Sequence, residues 1–186
     1  MTEPSEVVSI GDFDEWFSLN DTVMGGSSKA ICRNSSKGLS LEGVVVEEKG
    51  GFVSLKSPKY LPPLNLSKFR GFVLKIDGRG RTLKFGVSCK YGILSLKELF
   101  LDKSPGGLRW VVEIKTQRFG TSVIKVPFES LEPTVLAKKI SLPIKFKTSS
   151  ICQFQLLHSK FGRPGELNPG FKAGKIQFCL QSISVY

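Results

Sequence analysis

The sequence has 186 residues, a length that suits one domain with a core of its own. Its 40% apolar and 23% charged residues exclude a collagen-like or disordered chain and are typical of a globular protein. With 27 basic and 16 acidic residues, the net charge is +11, which favours acidic partners such as nucleic acid, an anionic membrane surface or an acidic protein. The lysines are spread along the chain, so a merely solubilising surface explains the charge equally well. We expect a single domain over residues 1–186.

Two features of the sequence concern its cellular compartment. The start, MTEPSEVVS, lacks the apolar stretch of a signal peptide, and no apolar run approaches the ~18 residues of a membrane span. The cysteines are far apart and have strand-like neighbours, so we expect reduced, buried thiols and no zinc site. They are Cys32, Cys89, Cys152 and Cys179. Together these features predict a cytoplasmic location without a transmembrane segment.

A period-two alternation of apolar and polar residues predicts β-strands along most of the chain. In chain order, the predicted strands cover residues 72–77, 82–89, 109–116, 122–128, 151–157 and 175–180. After the last of them the apolar pattern slips by one position to Ile183 and Val185, which predicts a β-bulge. Only short helical pieces are expected, near residues 12–19 and 128–136.

Glycine- and proline-rich connections separate these strands. DGRGR, residues 77–81, predicts a hairpin turn, and SPGG, residues 104–107, predicts another turn. Two connections are longer, at residues 57–68 and at the basic, glycine-rich residues 158–174. The second is longer than an ordinary connection, which favours a role in binding. Many short strands with such turns predict an all-β fold, either a sandwich or a barrel.

The sequence offers little for catalysis or for metal binding. His158 is the only histidine, so multi-histidine metal sites are excluded and a hydrolase would have a single candidate base. We expect His158 to be a loop or strand-end residue. The G-R-G-R segment lacks the frame of a phosphate-binding loop, and the acidic residues are scattered. We therefore predict no enzyme, no catalytic residues, no cofactor and no bound metal.

One short segment, WFSLNDTVMGGSS at residues 16–28, combines residue types that neither a plain strand nor a plain turn requires. Asn20 and Asp21 can bind backbone N–H groups and set a turn. Gly25 and Gly26 permit positive φ or the close approach of another strand. The Val-Met step between the two pairs either packs into the core or stands out as an adaptable contact.

The segment resembles the signature of the complex I intermediate-associated protein 30 family, W-x3-N-D-x-V-M-G-G-x-S. Further segments are similar to that family in the same order, namely L-E-G at 41–43, G-G-F at 50–52, F-R-G-F at 69–72, D-G-R at 77–79, V-P-F at 126–128 and the closing strand at 174–186. The resemblance therefore covers about residues 12–186. The basic segment at residues 90–103 departs from the family pattern, which bears most on the identity of the partner.

The resemblance implies a galactose-binding-like jelly-roll β-sandwich with long connecting loops, in agreement with the strand pattern. It also implies a non-catalytic, chaperone-like assembly factor for a membrane electron-transfer complex, either complex I-like or photosynthetic. The implied partners are protein subunits of that complex, and the charge of +11 adds an anionic membrane surface as a second partner. The implied setting is a bacterial cytoplasm, with cyanobacteria as one candidate source, and a peripheral position on the membrane.

We expect the partner to contact the motif segment and the loop at residues 158–174. The candidate partner-binding residues are Asn20, Asp21, Met24, Gly25, Gly26, Lys160 and Arg163. From the residues alone, a purely structural role for the motif segment is the main alternative.

Two other functions stay open at this point. A carbohydrate-binding module is favoured by the jelly-roll resemblance, but sugar sites expose aromatic platforms, whereas Trp16 and Trp110 are expected to be buried. A basic RNA-binding domain is favoured only by the charge, and nucleic acid is therefore the less favoured partner.

Overall fold

The computed structural model describes residues 5–91, 107–136, 138–141, 143–162 and 166–186. Over these residues the chain forms β-strands joined by loops and single 3-10 turns, and it contains no helix with the length and apolar character needed to cross a bilayer. The strands are β1 Ser5–Val8, β2 Phe17–Asn20, β3 Lys29–Ser35, β4 Gly38–Val45, β5 Phe52–Lys56, β6 Gly71–Asp77, β7 Thr82–Cys89, β8 Arg109–Lys115, β9 Ser122–Pro127, β10 Glu132–Val135, β11 Lys138–Lys139, β12 Ile151–Ser159 and β13 Gly174–Val185.

The strands form two antiparallel sheets that pack face to face. The six-stranded sheet has the order β3-β4-β13-β6-β9, and β1 pairs with the end of β13. The seven-stranded sheet has the order β11-β10-β8-β7-β12-β5-β2. Many neighbouring strands, such as β4 and β13 or β5 and β12, are far apart in sequence. This architecture confirms the predicted all-β jelly-roll sandwich.

All the predicted strands are present, as β6, β7, β8, β9, β12 and β13. The predicted bulge is also confirmed, because the pairing of β13 with β6 shifts between Leu180 and Ser182. The extra residue turns Ile183 and Val185 back towards the core, where they are 0% and 1% exposed.

The DGRGR prediction of a hairpin is wrong. β6 and β7 lie in different sheets, so the turn crosses from one sheet to the other. The backbone is turn-like, with φ of 52° at Arg79 and 77° at Gly80, but the N–H of Gly80 donates to the carbonyl of Gln117 at 2.8 Å. The turn therefore packs on the connection between β8 and β9.

The helical predictions are wrong for most of their length. Only 3-10 turns at Ile10–Asp12 and Phe128–Ser130 fall in or beside the predicted pieces, because the residues that follow pair into β2 and β10. Sheet pairing overrides the weak local helical preference. The other predicted turn, at residues 104–107, lies outside the described residues except for Gly107.

The core between the sheets is built from the inward rows of both. Phe72 of the six-stranded sheet packs against Phe85 and Phe154 of the seven-stranded sheet, with ring centroids 5.3 and 5.6 Å apart. All three side chains are at most 1% exposed. Trp16 and Trp110 are each 5% exposed, so both tryptophans are buried as predicted. All four cysteines lie among the described residues, and none forms a disulfide.

Candidate functional site

The carboxylate of Asp21 is the buried centre of the motif segment. Asp21 begins a 3-10 turn directly after β2, and its side chain is fully buried. Its Oδ1 accepts a hydrogen bond from Ser28 N at 2.9 Å, and its Oδ2 accepts from Ser28 Oγ at 2.6 Å. Oδ2 also accepts from Gly51 N at 2.7 Å and from Phe52 N at 3.3 Å. We call Asp21, Ser28, Gly51 and Phe52 the carboxylate clamp, and it ties the motif segment to the start of β5.

The clamp keeps Asp21 ionised. Burial raises the pKa of the Asp21 carboxyl, but the hydrogen bonds from Ser28, Gly51 and Phe52 outweigh burial and hold the pKa below its usual value. Both oxygens accept hydrogen bonds from the protein, and the side chain is 0% exposed, so Asp21 presents no carboxylate to solvent in this geometry. In the described ranges, no group of three or more His, Cys, Asp or Glu side chains is arranged to hold a metal ion.

Glycines make room for the buried carboxylate. A Cβ on Gly26 would lie 2.4 Å from Asp21 Cγ, and a Cβ on Gly50 would lie 2.5 Å from Asp21 Cβ. Gly25 closes the 3-10 turn with φ of 82°, in the left-handed region that favours glycine. The close packing around Asp21 therefore explains why glycines flank this carboxylate on both segments.

The same turn directs two aliphatic side chains away from the protein. Val23 and Met24 are each 66% exposed, although they sit between the buried Asp21 and the glycine pair. On the other side of the motif, Asn20 Nδ2 donates to the carbonyl of Ala30 at 2.9 Å and fixes the segment to β3. We call Val23 and Met24 the apolar tip. An exposed thioether on a firmly held loop is suited to contact an apolar partner surface.

The second predicted contact loop meets the first through the turn at residues 46–51. Lys160 N donates to the carbonyl of Gly51 at 2.9 Å, and Lys160 Nζ donates to the carbonyl of Glu47 at 3.1 Å. Because Asp21 binds the N–H of Gly51, the two loops attach to the same residue. The structure thus brings them together at the end of the seven-stranded sheet where β2 and β12 stop and β5 begins.

The second loop also carries exposed apolar side chains. Phe161 is 42% exposed and Leu167 is 73% exposed, and the two residues pair as an isolated bridge. Lys160 Nζ lies 5.3 Å from the centroid of the Phe161 ring, a cation–π geometry. We call Val23, Met24, Lys160, Phe161 and Leu167 the loop surface.

Buried polar groups hold the loop that follows β12. His158 is fully buried near the end of β12, as predicted for a strand-end residue, and its ring stacks on Phe171 with centroids 5.3 Å apart. Its Nδ1 lies 3.1 Å from the carbonyl of Thr82, and its Nε2 lies 3.2 Å from Arg81 Nη1. Burial, reinforced by the Arg81 charge, lowers the pKa of His158 to about 4. A neutral imidazole that donates from Nδ1 and accepts at Nε2 satisfies both contacts, so His158 supports the loop.

The predicted contact residues fall into different roles. Asp21 was expected to touch a partner, but its full burial corrects that expectation and assigns it a positioning role. Gly26 lies beside Asp21, where any larger residue would clash with the carboxylate. Met24 and Lys160 belong to the loop surface, and Arg163 lies outside the described residues. Sequence reasoning did not place Gly51 in the clamp, although the G-G-F triplet was a signal for it.

Comparison with solved structures defines the class of fold. A family 11 carbohydrate-binding module of the cellulosomal cellulase Lic26A-Cel5E of Clostridium thermocellum is 12% identical, with a TM-score of 0.62 over 100% of this chain and 95% of that one. A family 11 module from the same organism, in complex with a β-1,3-1,4-mixed-linked tetrasaccharide, is 13% identical, with a TM-score of 0.63 over 98% and 94% of the two chains. The agarase AgWH50C is 7% identical, with a TM-score of 0.55 over 100% of this chain and 25% of that one. At these identities the likeness concerns the jelly-roll sandwich alone.

Comparison of the sequence identifies the family. Residues 4–180 match the family described as Complex I intermediate-associated protein 30 (CIA30). The match covers nearly the whole chain, and the chain belongs to this family. No curated protein sequence matches the chain.

Proposed function

We propose that this protein is a non-catalytic assembly factor that binds protein subunits of a membrane electron-transfer complex, complex I-like or photosynthetic, before the complex is finished. Membership of the CIA30 family supports an assembly-related role. The observation that carries the proposal is the apolar tip, because two aliphatic side chains, each 66% exposed, are held out on a loop whose base is a buried carboxylate. A fixed loop with an apolar end can bind the apolar surface that a client subunit exposes before its complex is assembled.

In this proposal the loop surface makes the contact. The apolar tip enters an apolar depression on the client subunit, and Phe161 with Leu167 extends the contact. The side chain of Lys160 supplies a positive charge beside them. The carboxylate clamp touches no partner and keeps the tip in place. The remaining positive charge holds the protein at an anionic membrane surface, at about 1 kcal/mol for each lysine or arginine near that surface.

The test of the proposal is the capture of client subunits. The tagged protein is recovered from gently solubilised native membranes, with nuclease present, and its companions are identified by mass spectrometry. We expect subunits of one respiratory or photosynthetic complex, with subassemblies enriched over the mature complex. Recovery of only soluble proteins or of no companion contradicts the assembly role, and so does a set of companions that appears only in a parallel sample without nuclease.

A matched pair of variants connects the capture to the apolar tip. Val23→Ala with Met24→Ala removes most of the exposed aliphatic surface of the tip. Val123→Ala is the control, because Val123 is 64% exposed on β9 at the edge of the other sheet. We expect the tip variant to lose client subunits and the control to retain them.

The fold favours glycan binding as the second candidate function. The family 11 carbohydrate-binding modules share the sandwich, and one of them is in complex with a mixed-linked tetrasaccharide. Against this candidate, Trp16 and Trp110 are each only 5% exposed and offer no platform for a sugar ring. A rise in melting temperature with that tetrasaccharide, together with no capture of membrane subunits, would favour glycan binding over assembly.

A further inference from the structure

The outer face of the seven-stranded sheet, opposite the core, carries an unusual row of polar side chains. Gln155 of β12 lies directly between Lys56 of β5 and Gly86 of β7, and Gly86 in turn faces Val111 of β8. Directly paired residues of antiparallel strands share a face of the sheet. The next row along contains Lys84, opposite Glu113 of β8. These rows therefore lie side by side on the outer face.

Three cations surround the centre of this face. Lys84 is 8% exposed, and Lys56 and Arg109 are half-buried. Arg109 Nη1 donates to Gln155 Oε1, and Gln155 Nε2 donates to Ser54 Oγ at 2.9 Å. We call Lys56, Lys84 and Arg109 the cation floor. Gly86 lies in the middle of it, where a Cβ would meet Gln155 and Val111 at 3.8 Å.

Few of the described groups neutralise the cation floor. The Lys139–Glu132 pair is the one ion pair within 4 Å that the described residues form, so none of them pairs a carboxylate with the cation floor. Within the described part of the chain, the Arg109 guanidinium donates one hydrogen bond, to Gln155, and its other donors are unused. The Arg109 charge adds to burial in lowering the pKa of Lys56 and that of Lys84, the latter to about 8, and Glu113 opposes only the second shift.

Such an arrangement is costly unless something else supplies negative charge. Removing a cation from water without a partner costs free energy, and three cations close together add mutual repulsion. A bound anion offsets both costs, because it replaces the lost water and the repulsion with charge-assisted hydrogen bonds. Ionisable groups with perturbed pKa values cluster at functional sites, so this group of cations is a candidate binding site.

We propose that the cation floor is a binding site for the anionic group, a carboxylate or a phosphate, of a small ligand that approaches the half-buried Lys56 and Arg109. Lys56, Lys84 and Arg109 supply the charge, and Gln155 orients the guanidinium. This site is separate from the loop surface and does not rest on the assembly role.

The burial of the floor selects the size of the ligand. Gln155 is 3% exposed and Lys84 is 8% exposed, so a flat membrane surface cannot reach them, and the half-buried Lys56 and Arg109 are the groups that an approaching oxyanion meets first. A cleft of about 350 Å³ opens beside Lys84, and Lys115, Glu113 and Glu132 are among its other lining residues. That volume is enough for the remainder of a small ligand.

The experiment compares anions by thermal unfolding at pH 7. Sodium phosphate and sodium citrate are titrated separately, each against sodium chloride at the same ionic strength. Phosphate and citrate separate the phosphate and carboxylate chemistries. At ten times the dissociation constant of the better anion we expect a rise in melting temperature of about 3–5 °C over chloride. The mixed-linked tetrasaccharide serves as the neutral ligand and should cause no rise.

Variants assign the response to the floor. Lys84→Met should abolish the rise caused by the better anion. It should also raise the melting temperature in chloride, because it removes a buried charge with which none of the described residues forms an ion pair. Lys75→Met, on an exposed position of β6 in the other sheet, should leave both values unchanged. If Lys84→Met does not fold, Lys56→Met carries the same test of the anion response.

Several outcomes would overturn the anion site. Equal melting temperatures in phosphate, citrate and chloride would show that these anions act only by screening the protein charges and do not bind a site. A full anion response in the Lys84→Met and Lys56→Met proteins would place the anion elsewhere. A rise with the neutral tetrasaccharide alone would replace the anion by a glycan. None of these results bears on client capture, so the two proposals fail separately.

Discussion

The carboxylate clamp and the cation floor handle a buried charge in opposite ways. At the clamp, four hydrogen bonds from the protein surround the Asp21 carboxylate, and its ordinary solvation is fully replaced. On the cation floor, Lys84 is almost as buried, yet none of the described residues forms an ion pair with it. The contrast separates two roles: a buried charge with its partners built in holds the fold, and a buried charge without them is a place for a ligand.

The largest expected effect is the loss of the clamp. Asp21→Ala leaves the buried donors of Ser28 and Gly51 without an acceptor, and each orphaned donor costs about 1–3 kcal/mol. We expect the free energy of unfolding, measured by urea denaturation, to fall by about 3–5 kcal/mol. The matched control is Glu48→Ala, an exposed carboxylate in the adjoining turn, and it should change the value little. A loss below about 1 kcal/mol would place Asp21 outside the structural core of the motif.

Acid should lower the free energy of unfolding through two groups, first His158 and then, at lower pH, Asp21. The pKa of His158 falls from 6.5 to about 4 on folding, so the unfolded chain binds the additional proton first and stability falls as the pH drops from 6.5 to 4. Between pH 7 and 4.5 this group should remove about 2–3 kcal/mol from the free energy of unfolding. His158→Gln should flatten this part of the profile, and an unchanged slope in that variant would contradict the assignment. Asp21, whose pKa is lowered by folding, adds its own loss only as the pH falls below 3.8.

Two glycine substitutions sharpen the comparison at a smaller scale. Gly50→Ala places a Cβ 2.5 Å from Asp21, so we expect a loss of about 1–3 kcal/mol in urea denaturation. Gly86→Ala meets its nearest atoms at 3.8 Å, an ordinary contact, and should change stability by less than about 1 kcal/mol. Because the new methyl group adds bulk in the middle of the cation floor, Gly86→Ala should weaken the anion response. Equal stability losses at the two positions would mean that the carboxylate clamp and the cation floor are equally tightly packed, which would contradict the comparison.

The sequence predicted six of the thirteen strands that the described residues form, because alternation is a local property that these six show clearly. β7 begins and ends at the predicted residues, and the bulge after Leu180 follows from a slip in one apolar row. The pairing of strands is not local, so DGRGR could not be recognised as a crossing between sheets. The sequence also identified the motif residues, but it did not show which of their side chains point into the protein and which point into solvent. The burial of Asp21 depends on Gly51, thirty positions further on, whose N–H reaches it only in the fold.

The cation floor could not be predicted, for a related reason. Lys56, Lys84 and Arg109 belong to β5, β7 and β8, and in the sequence each resembles a surface residue of a half-buried strand. Their closeness follows from the strand order of the seven-stranded sheet, in which β12 places Gln155 between them.

The central claim is that the apolar tip captures a client subunit while the carboxylate clamp only holds the tip. The most direct test measures two quantities, client capture from solubilised membranes and melting temperature, on the wild-type protein and on the Val23→Ala, Met24→Ala double variant. The account predicts that the double variant melts within about 2 °C of the wild type, as expected for exposed side chains, and loses the client. Retention of the client at an unchanged melting temperature would contradict it.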